Sequence, residues 1–172
     1  MITLVLGGAR SGKSAVAEAL VSARSSVTYV ATSLAAGAGD PEMAARIAAH
    51  RARRPSSWTT LEPALPAPRA LEEAVGASPG LVLLDSLTAW VAGAPGFAVD
   101  AAGLCGALTE RDGDAVVVSD EVGMGVHPSS EAGRRFRDAL GLVNQQVAAV
   151  ADEVMLVVAG RALRLAPVGQ LG

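Results

Sequence analysis

The sequence predicts an α/β protein in three layers. A mainly parallel sheet carries helices on both faces and ends in an antiparallel hairpin. Three observations predict this. Short runs that are apolar at consecutive positions, "ITLVLG", "SVTYVAT" (26–32), "GLVLLDS" (80–86) and "DAVVVSDE" (114–121), read as strands buried on both sides. Segments with helical spacing lie between them, and alternation of that kind builds parallel sheets. The C-terminal "EVMLVVAGRALRLAP" reads as a strand, a tight turn at 159–161 and a returning strand.

Taking the elements in order, "SAVAEALVSAR" follows the first strand, and Val16, Leu20 and Ala23 share one helical face. "PEMAARIAAHRARR" (41–54) reads as a helix with Asp40 as N-cap and Pro41 at its first position. Pro55 bounds it, because the residue before a proline disfavours the helical region. "EPALPAPRALEEA" is a proline-rich loop running into a short helix. The last helix spans about 130–150, with Phe136, Leu140, Val143 and Val147 on its buried face.

The 172 residues are expected to form a single domain over 1–172, with an aliphatic core, since 51% are hydrophobic and only 3% aromatic. A net charge of −3 argues against nucleic-acid binding by bulk electrostatics, so any anion site must be local. The single cysteine, Cys105, allows no internal disulfide and is expected as a small buried residue. The N-terminus has no basic leader and no apolar run is long enough to span a bilayer, so a soluble, cytoplasmic protein is expected.

The sharpest motif is "GGARSGKS", Gly7, Gly8, Ala9, Arg10, Ser11, Gly12, Lys13 and Ser14, which matches G-x-x-x-x-G-K-S between a strand and a helix. Backbone N–H groups of such a loop cradle phosphate oxygens, and the helix behind it turns its positive dipole end toward the same anion. Lys13, the only lysine in the chain, falls where a cation must reach the β- and γ-phosphates. Ser14 is placed to ligate Mg²⁺. Asp85, at the end of "LVLLD", is the second candidate for Mg²⁺, the cofactor this chemistry implies. Asp120 and Glu121 end the fourth strand on the same carboxyl edge, where ligands bind.

His50 lies among Arg46, Arg51, Arg53 and Arg54 in a chain with two histidines. Met43, Ile47 and His50 share a helical face, which puts His50 between an apolar stripe and an arginine stripe. Spacing alone leaves three readings open: a solvated basic face, a packed histidine, or an imidazole nucleophile beside phosphate-binding arginines. It also leaves open a small-molecule kinase or NTPase without covalent histidine chemistry, or a nucleotide-binding switch.

The blocks "GGARSGKS", "YVATS", "DPEMAARIAAHRARRPSSWTTLEP", "LLDSLTAW" and "VVVSDEVGMGVHPSSEAGRRFRDALGLVNQQVAAVADEVMLVVAG" together resemble a known family over nearly the whole chain. It is the bifunctional adenosylcobinamide kinase / adenosylcobinamide-phosphate guanylyltransferase family of cobalamin biosynthesis. The resemblance implies a RecA-like P-loop NTPase fold and assembly as a homotrimer. It implies that ATP or GTP phosphorylates adenosylcobinamide, and that GTP then transfers GMP to adenosylcobinamide phosphate through a covalent GMP–histidine. The histidine it points to is His50. Beside the phosphate loop, it implies nucleotide contacts at Thr32, Ser33, Arg51, Ala52, Arg53, Arg54, Glu62 and Asp85, with Glu62 recognising guanine.

Two departures stand out. The family usually has Asn–Glu–Val–Gly where this chain has Asp120–Glu121–Val122–Gly123, so an acid replaces an amide. The stretch between "LLDSLTAW" and "VVVSDEVG" is also short, where other members often carry a longer helical insert. His127 matches no motif histidine and is expected on a surface loop.

Overall fold

The computed structural model describes residues 1–32, 54–167 and 169. The helix predicted over 41–54 therefore lies, apart from Arg54, outside the described residues, as do Ser33, His50, Arg51, Ala52 and Arg53.

Seven strands form one sheet: β1 (Ile2–Gly7), β2 (Val27–Ala31), β3 (Thr59–Leu61), β4 (Leu81–Asp85), β5 (Ala115–Asp120), β6 (Glu153–Val158) and β7 (Arg161–Leu165). Their order is β3-β2-β4-β5-β1-β6-β7. Every pairing is parallel except β6 with β7. The predicted α/β class and closing hairpin are therefore present. β5 is inserted between β1 and β4, so the phosphate-loop strand and the strand ending in Asp85 are next-but-one neighbours.

The helices are α1 (Lys13–Val21), α2 (Ala70–Ala77), α3 (Leu87–Gly93), α4 (Ala101–Glu110) and α5 (Glu131–Val150). Alternate strand residues feed two cores. On one face, Leu4, Leu6, Val82, Leu84 and Val117 pack under α2 to α5 through Leu71, Val75, Leu87, Leu104, Leu140 and Val147. On the other, Val5, Tyr29, Leu81, Leu83, Val116 and Val118 meet Ala17 and Val21 of α1. Strands with both faces covered are apolar at consecutive positions, which is why the runs showed no alternation.

Three helices start on a side-chain cap: Ser86 accepts from the Ala89 N–H, Asp100 from Gly103 and Ser130 from Gly133. Such caps satisfy one of the orphan donors at a helix N-terminus.

Several expectations need correction. The buried face of α1 is Lys13, Ala17 and Val21, while Leu20 is exposed and Val16 only half-buried. Lys13 shares that buried face although it is charged. Cys105 is half-buried against the core rather than enclosed. β3, three exposed residues on the sheet edge, carries no apolar pattern that would reveal it. The turn between β6 and β7 is one residue shorter than read, because Val158 pairs directly with Arg161.

Arg111 is a structural arginine that no motif announces. Its guanidinium is buried and donates to the carbonyls of Val75, Ser78, Gly80, Gly113 and Asp114, tying the ends of α2, α4, β4 and β5 together. Arg111→Met strands these acceptors and is expected to cost roughly 2–3 kcal/mol in denaturant unfolding. Arg24→Ala removes only an exposed ion pair with Asp114 and should cost about 0–1 kcal/mol in the same measurement.

Candidate active site

The parallel register sets Gly7 beside Asp120, and Asp85 beside Val118 and Ala31, so the predicted residues of three strands meet one carboxyl edge. The phosphate loop turns there between β1 and α1. Gly7 admits no larger residue, since a Cβ would fall against Ser11 Oγ and 2.7 Å from the Val157 carbonyl oxygen. Arg10 and Gly12 have φ of 57° and 94°, left-handed values that glycine takes without steric cost. The Ser11 N–H donates to the Gly8 carbonyl at 3.2 Å, closing the turn.

Lys13 opens α1 and is only 6% exposed. Its ammonium lies 2.5 Å from Asp120 Oδ1 and 3.4 Å from the Gly8 carbonyl. The acid that ends β5 is therefore the partner of the phosphate-loop lysine. Asp120 is itself held by its backbone: its N–H donates to Thr88 Oγ1 and its carbonyl accepts from Asn144 Nδ2. Glu121, its neighbour, folds back onto its own loop and accepts from the Gly123 N–H at 2.7 Å.

Thr32 is buried at 1% exposure. Its hydroxyl donates to the Ser86 carbonyl at 2.5 Å and accepts from the Ser86 N–H at 2.7 Å. It clamps the end of β2 to the residue after Asp85.

A second chain of contacts runs from Asp85 outward. Asp85 Oδ2 accepts from the Tyr29 hydroxyl at 2.8 Å, and the Arg54 guanidinium lies 3.4 Å from the centroid of the Tyr29 ring. A cation on that ring face is attracted by its quadrupole. Arg54, Pro55, Ser56, Trp58, Thr60 and Glu62 line an open cleft of about 480 Å³ at the β3 edge. Arg54 and Glu62, two predicted nucleotide contacts, thus share one cleft. Tyr29 and Trp58 were not singled out as functional residues. Tyr29 had one usable signal, its place in the "YVATS" block as the chain's only tyrosine. His127 lies on an exposed loop, as expected, 3.0 Å from an Arg137 guanidinium nitrogen.

The candidate metal residues, Ser14 and Asp85, offer a hydroxyl and a carboxylate. These are hard oxygen donors of the kind Mg²⁺ takes alongside phosphate oxygens. Among the described residues, no group of three or more His, Cys, Asp or Glu side chains forms a closed metal cage.

Residues 3–165 match the family model described as cobinamide kinase / cobinamide phosphate guanyltransferase. The chain belongs to this family. Curated relatives match most of its length. The bifunctional adenosylcobalamin biosynthesis protein CobU of Escherichia coli is 41% identical, covering 96% of this chain and 99% of the relative. CobP of Pseudomonas aeruginosa is 41% identical over 93% and 94%, and CobU of Salmonella typhimurium 38% over 96% and 99%. Among solved structures, the P4 protein from bacteriophage phi6 in complex with ADP aligns with 94% of this chain and 52% of its own. Its identity is 16% and its TM-score 0.42.

Burial first, and then the Asp85 charge, push the Tyr29 hydroxyl well above its ordinary value, against the opposing pull of Arg54. A raised folded-state value means that the stabilisation is complete below about pH 10, the unfolded value, and is lost as pH rises through the folded value. Because Tyr29 is the only tyrosine, ultraviolet phenolate absorbance reads it alone. The phenol is expected to stay protonated beyond about pH 10 for as long as far-UV circular dichroism is native. A midpoint near 10 in the folded protein would contradict the Tyr29–Asp85 contact.

Proposed function

We propose that this protein phosphorylates adenosylcobinamide, with ATP or GTP as donor. It then transfers GMP from GTP to adenosylcobinamide phosphate, releasing pyrophosphate and giving adenosylcobinamide-GDP. The observation that carries this reading is the buried Lys13 at the head of a phosphate loop, inside a chain that matches the family over residues 3–165.

The loop Gly7–Ser14 holds the triphosphate, with Lys13 supplying the point charge that the leaving phosphates need. Ser14 and Asp85 would hold Mg²⁺, which supplies further neutralisation of phosphate charge. Tyr29 occupies one oxygen of Asp85 and leaves the other for that role. In the cleft beside β3, Glu62 accepts from guanine N–H donors, the Trp58 ring offers an apolar wall, and Arg54 faces the phosphates. Ser33, Arg51, Ala52 and Arg53 complete the nucleotide contacts.

His50 carries the covalent step. Its neutral imidazole nitrogen attacks the α-phosphorus of GTP, a P–N bond forms, and the bond to the β-phosphate oxygen breaks to release pyrophosphate. A phosphate oxygen of the second substrate then attacks the same phosphorus, the P–N bond breaks, and the imidazole is regenerated. Splitting the transfer lets one anion site serve two anionic partners in turn.

One domain spanning 1–172 carries both activities in this reading, in a soluble, cytoplasmic homotrimer. One observation supports an assembly. Val158, Leu163 and Leu165 expose apolar surface on the hairpin. Among the described residues no helix is long and apolar enough to cross a membrane.

The test uses labelled GTP with Mg²⁺. With α-label, wild-type protein retains acid-labile label after denaturation and His50→Ala loses it by more than about a hundredfold, as removal of a nucleophile requires. With γ-label, adenosylcobinamide becomes labelled in both proteins. Unlabelled wild type, or equal α-label on His50→Ala, overturns the covalent step. No γ-transfer by wild type overturns the kinase step.

A further inference from the structure

The turn joining β6 to β7 reaches the phosphate loop, although some 150 residues of chain separate them. The Gly160 N–H donates to the Ser11 carbonyl at 2.8 Å. The fit is close: a Cβ on Gly12 would come within 3.2 Å of Gly160 Cα, and one on Gly7 within 2.7 Å of the Val157 carbonyl. The turn's own geometry frees this donor. Val158 and Arg161 form the last pair of the ladder, and the two residues between them, Ala159 and Gly160, have φ of 50° and 73°. Positive φ at both central positions is the two-residue hairpin turn that matches strand twist. Neither central N–H belongs to the β6–β7 ladder, so the Gly160 N–H is available to a neighbour.

The consequence follows from peptide geometry. The carbonyl of Ser11 and the N–H of Gly12 belong to one planar trans peptide and point in opposite directions. Anchoring the Ser11 oxygen on the hairpin therefore turns the Gly12 N–H away from it. A reversed peptide would remove one donor from the anion cradle and present a carbonyl oxygen to the phosphates, which repel it.

We propose that Gly160 is a positioning residue for the phosphate loop: its backbone N–H fixes the Ser11–Gly12 peptide in the orientation that offers the Gly12 N–H to a phosphate. This rests on the reading that residues 7–14 hold a nucleoside triphosphate. The hairpin thus serves the site through its backbone, without contributing a side chain.

The test replaces Gly160 by glycolic acid in the full-length protein, so that an ester takes the place of the amide and only the N–H donor is lost. Ala159→Gly, which keeps both the turn and the Gly160 N–H, is the control. Calorimetric affinities are measured for Mg-GTP, pyrophosphate and guanosine, alongside the melting temperature. The expected result is that the ester weakens Mg-GTP and pyrophosphate by roughly three- to tenfold, the worth of one hydrogen bond. Guanosine affinity stays unchanged, and Ala159→Gly binds all three as wild type does. Equal weakening of guanosine, or unchanged affinity for both phosphates, overturns the proposal. Failure of the wild-type protein to bind Mg-GTP or pyrophosphate overturns the reading of the loop itself.

Discussion

A charged amine with 6% of its surface exposed requires an anion beside it, and at this sheet edge the anion is Asp120, 2.5 Å from the Lys13 ammonium. Left unpaired, a charge buried to that degree costs several kcal/mol. The pair therefore constrains everything around it. Lys13 must open α1, which rotates the helix so that Ala17 and Val21 face the sheet and Leu20 faces solvent. Asp120 must end β5 level with Gly7, which the parallel register provides. The backbone of Asp120 is tied to Thr88 and Asn144, so the carboxylate is presented by both α3 and α5. A triphosphate in the loop and the Asp120 carboxylate seek the same cation.

The remaining site features hang from the same edge. Tyr29 joins Asp85 to Arg54, with its hydroxyl on the carboxylate and its ring under the guanidinium. One buried side chain thus orients two groups that would otherwise be independent. Thr32 fixes the residue after Asp85 from the opposite strand. On the far side of β1, the hairpin turn holds the Ser11 carbonyl. The loop and its acids are therefore supported by backbone and buried hydroxyls, and preorganisation of that kind is what electrostatic catalysis draws on.

Much of this was legible in the sequence because its signals are local. The apolar runs, the glycine spacing and the lone lysine each report a property of a few adjacent residues. The acid at Asp120 was visible as a departure, but its partner was not, since the Lys13–Asp120 contact joins residues 107 positions apart in sequence. Arg111 was invisible for the same reason: Val75, Ser78 and Gly80, among its acceptors, lie more than 30 positions away, and nothing in "ERDGDA" hints at burial. β3 was missed because three exposed residues carry no periodicity. The two bonds between Thr32 and Ser86 were not legible either, since they join residues 54 positions apart.

The central claim is that Lys13, held by Asp120, is the anchor for the triphosphate. The paired substitution Lys13→Met with Asp120→Asn tests it most directly, because both charges leave together and no buried ion is stranded. Calorimetric titration with Mg-GTP is expected to show affinity falling by more than about a hundredfold, as loss of a charge-assisted phosphate contact implies, while far-UV circular dichroism and the melting temperature stay close to wild type. A double variant that folds and binds Mg-GTP as tightly as wild type would contradict the account.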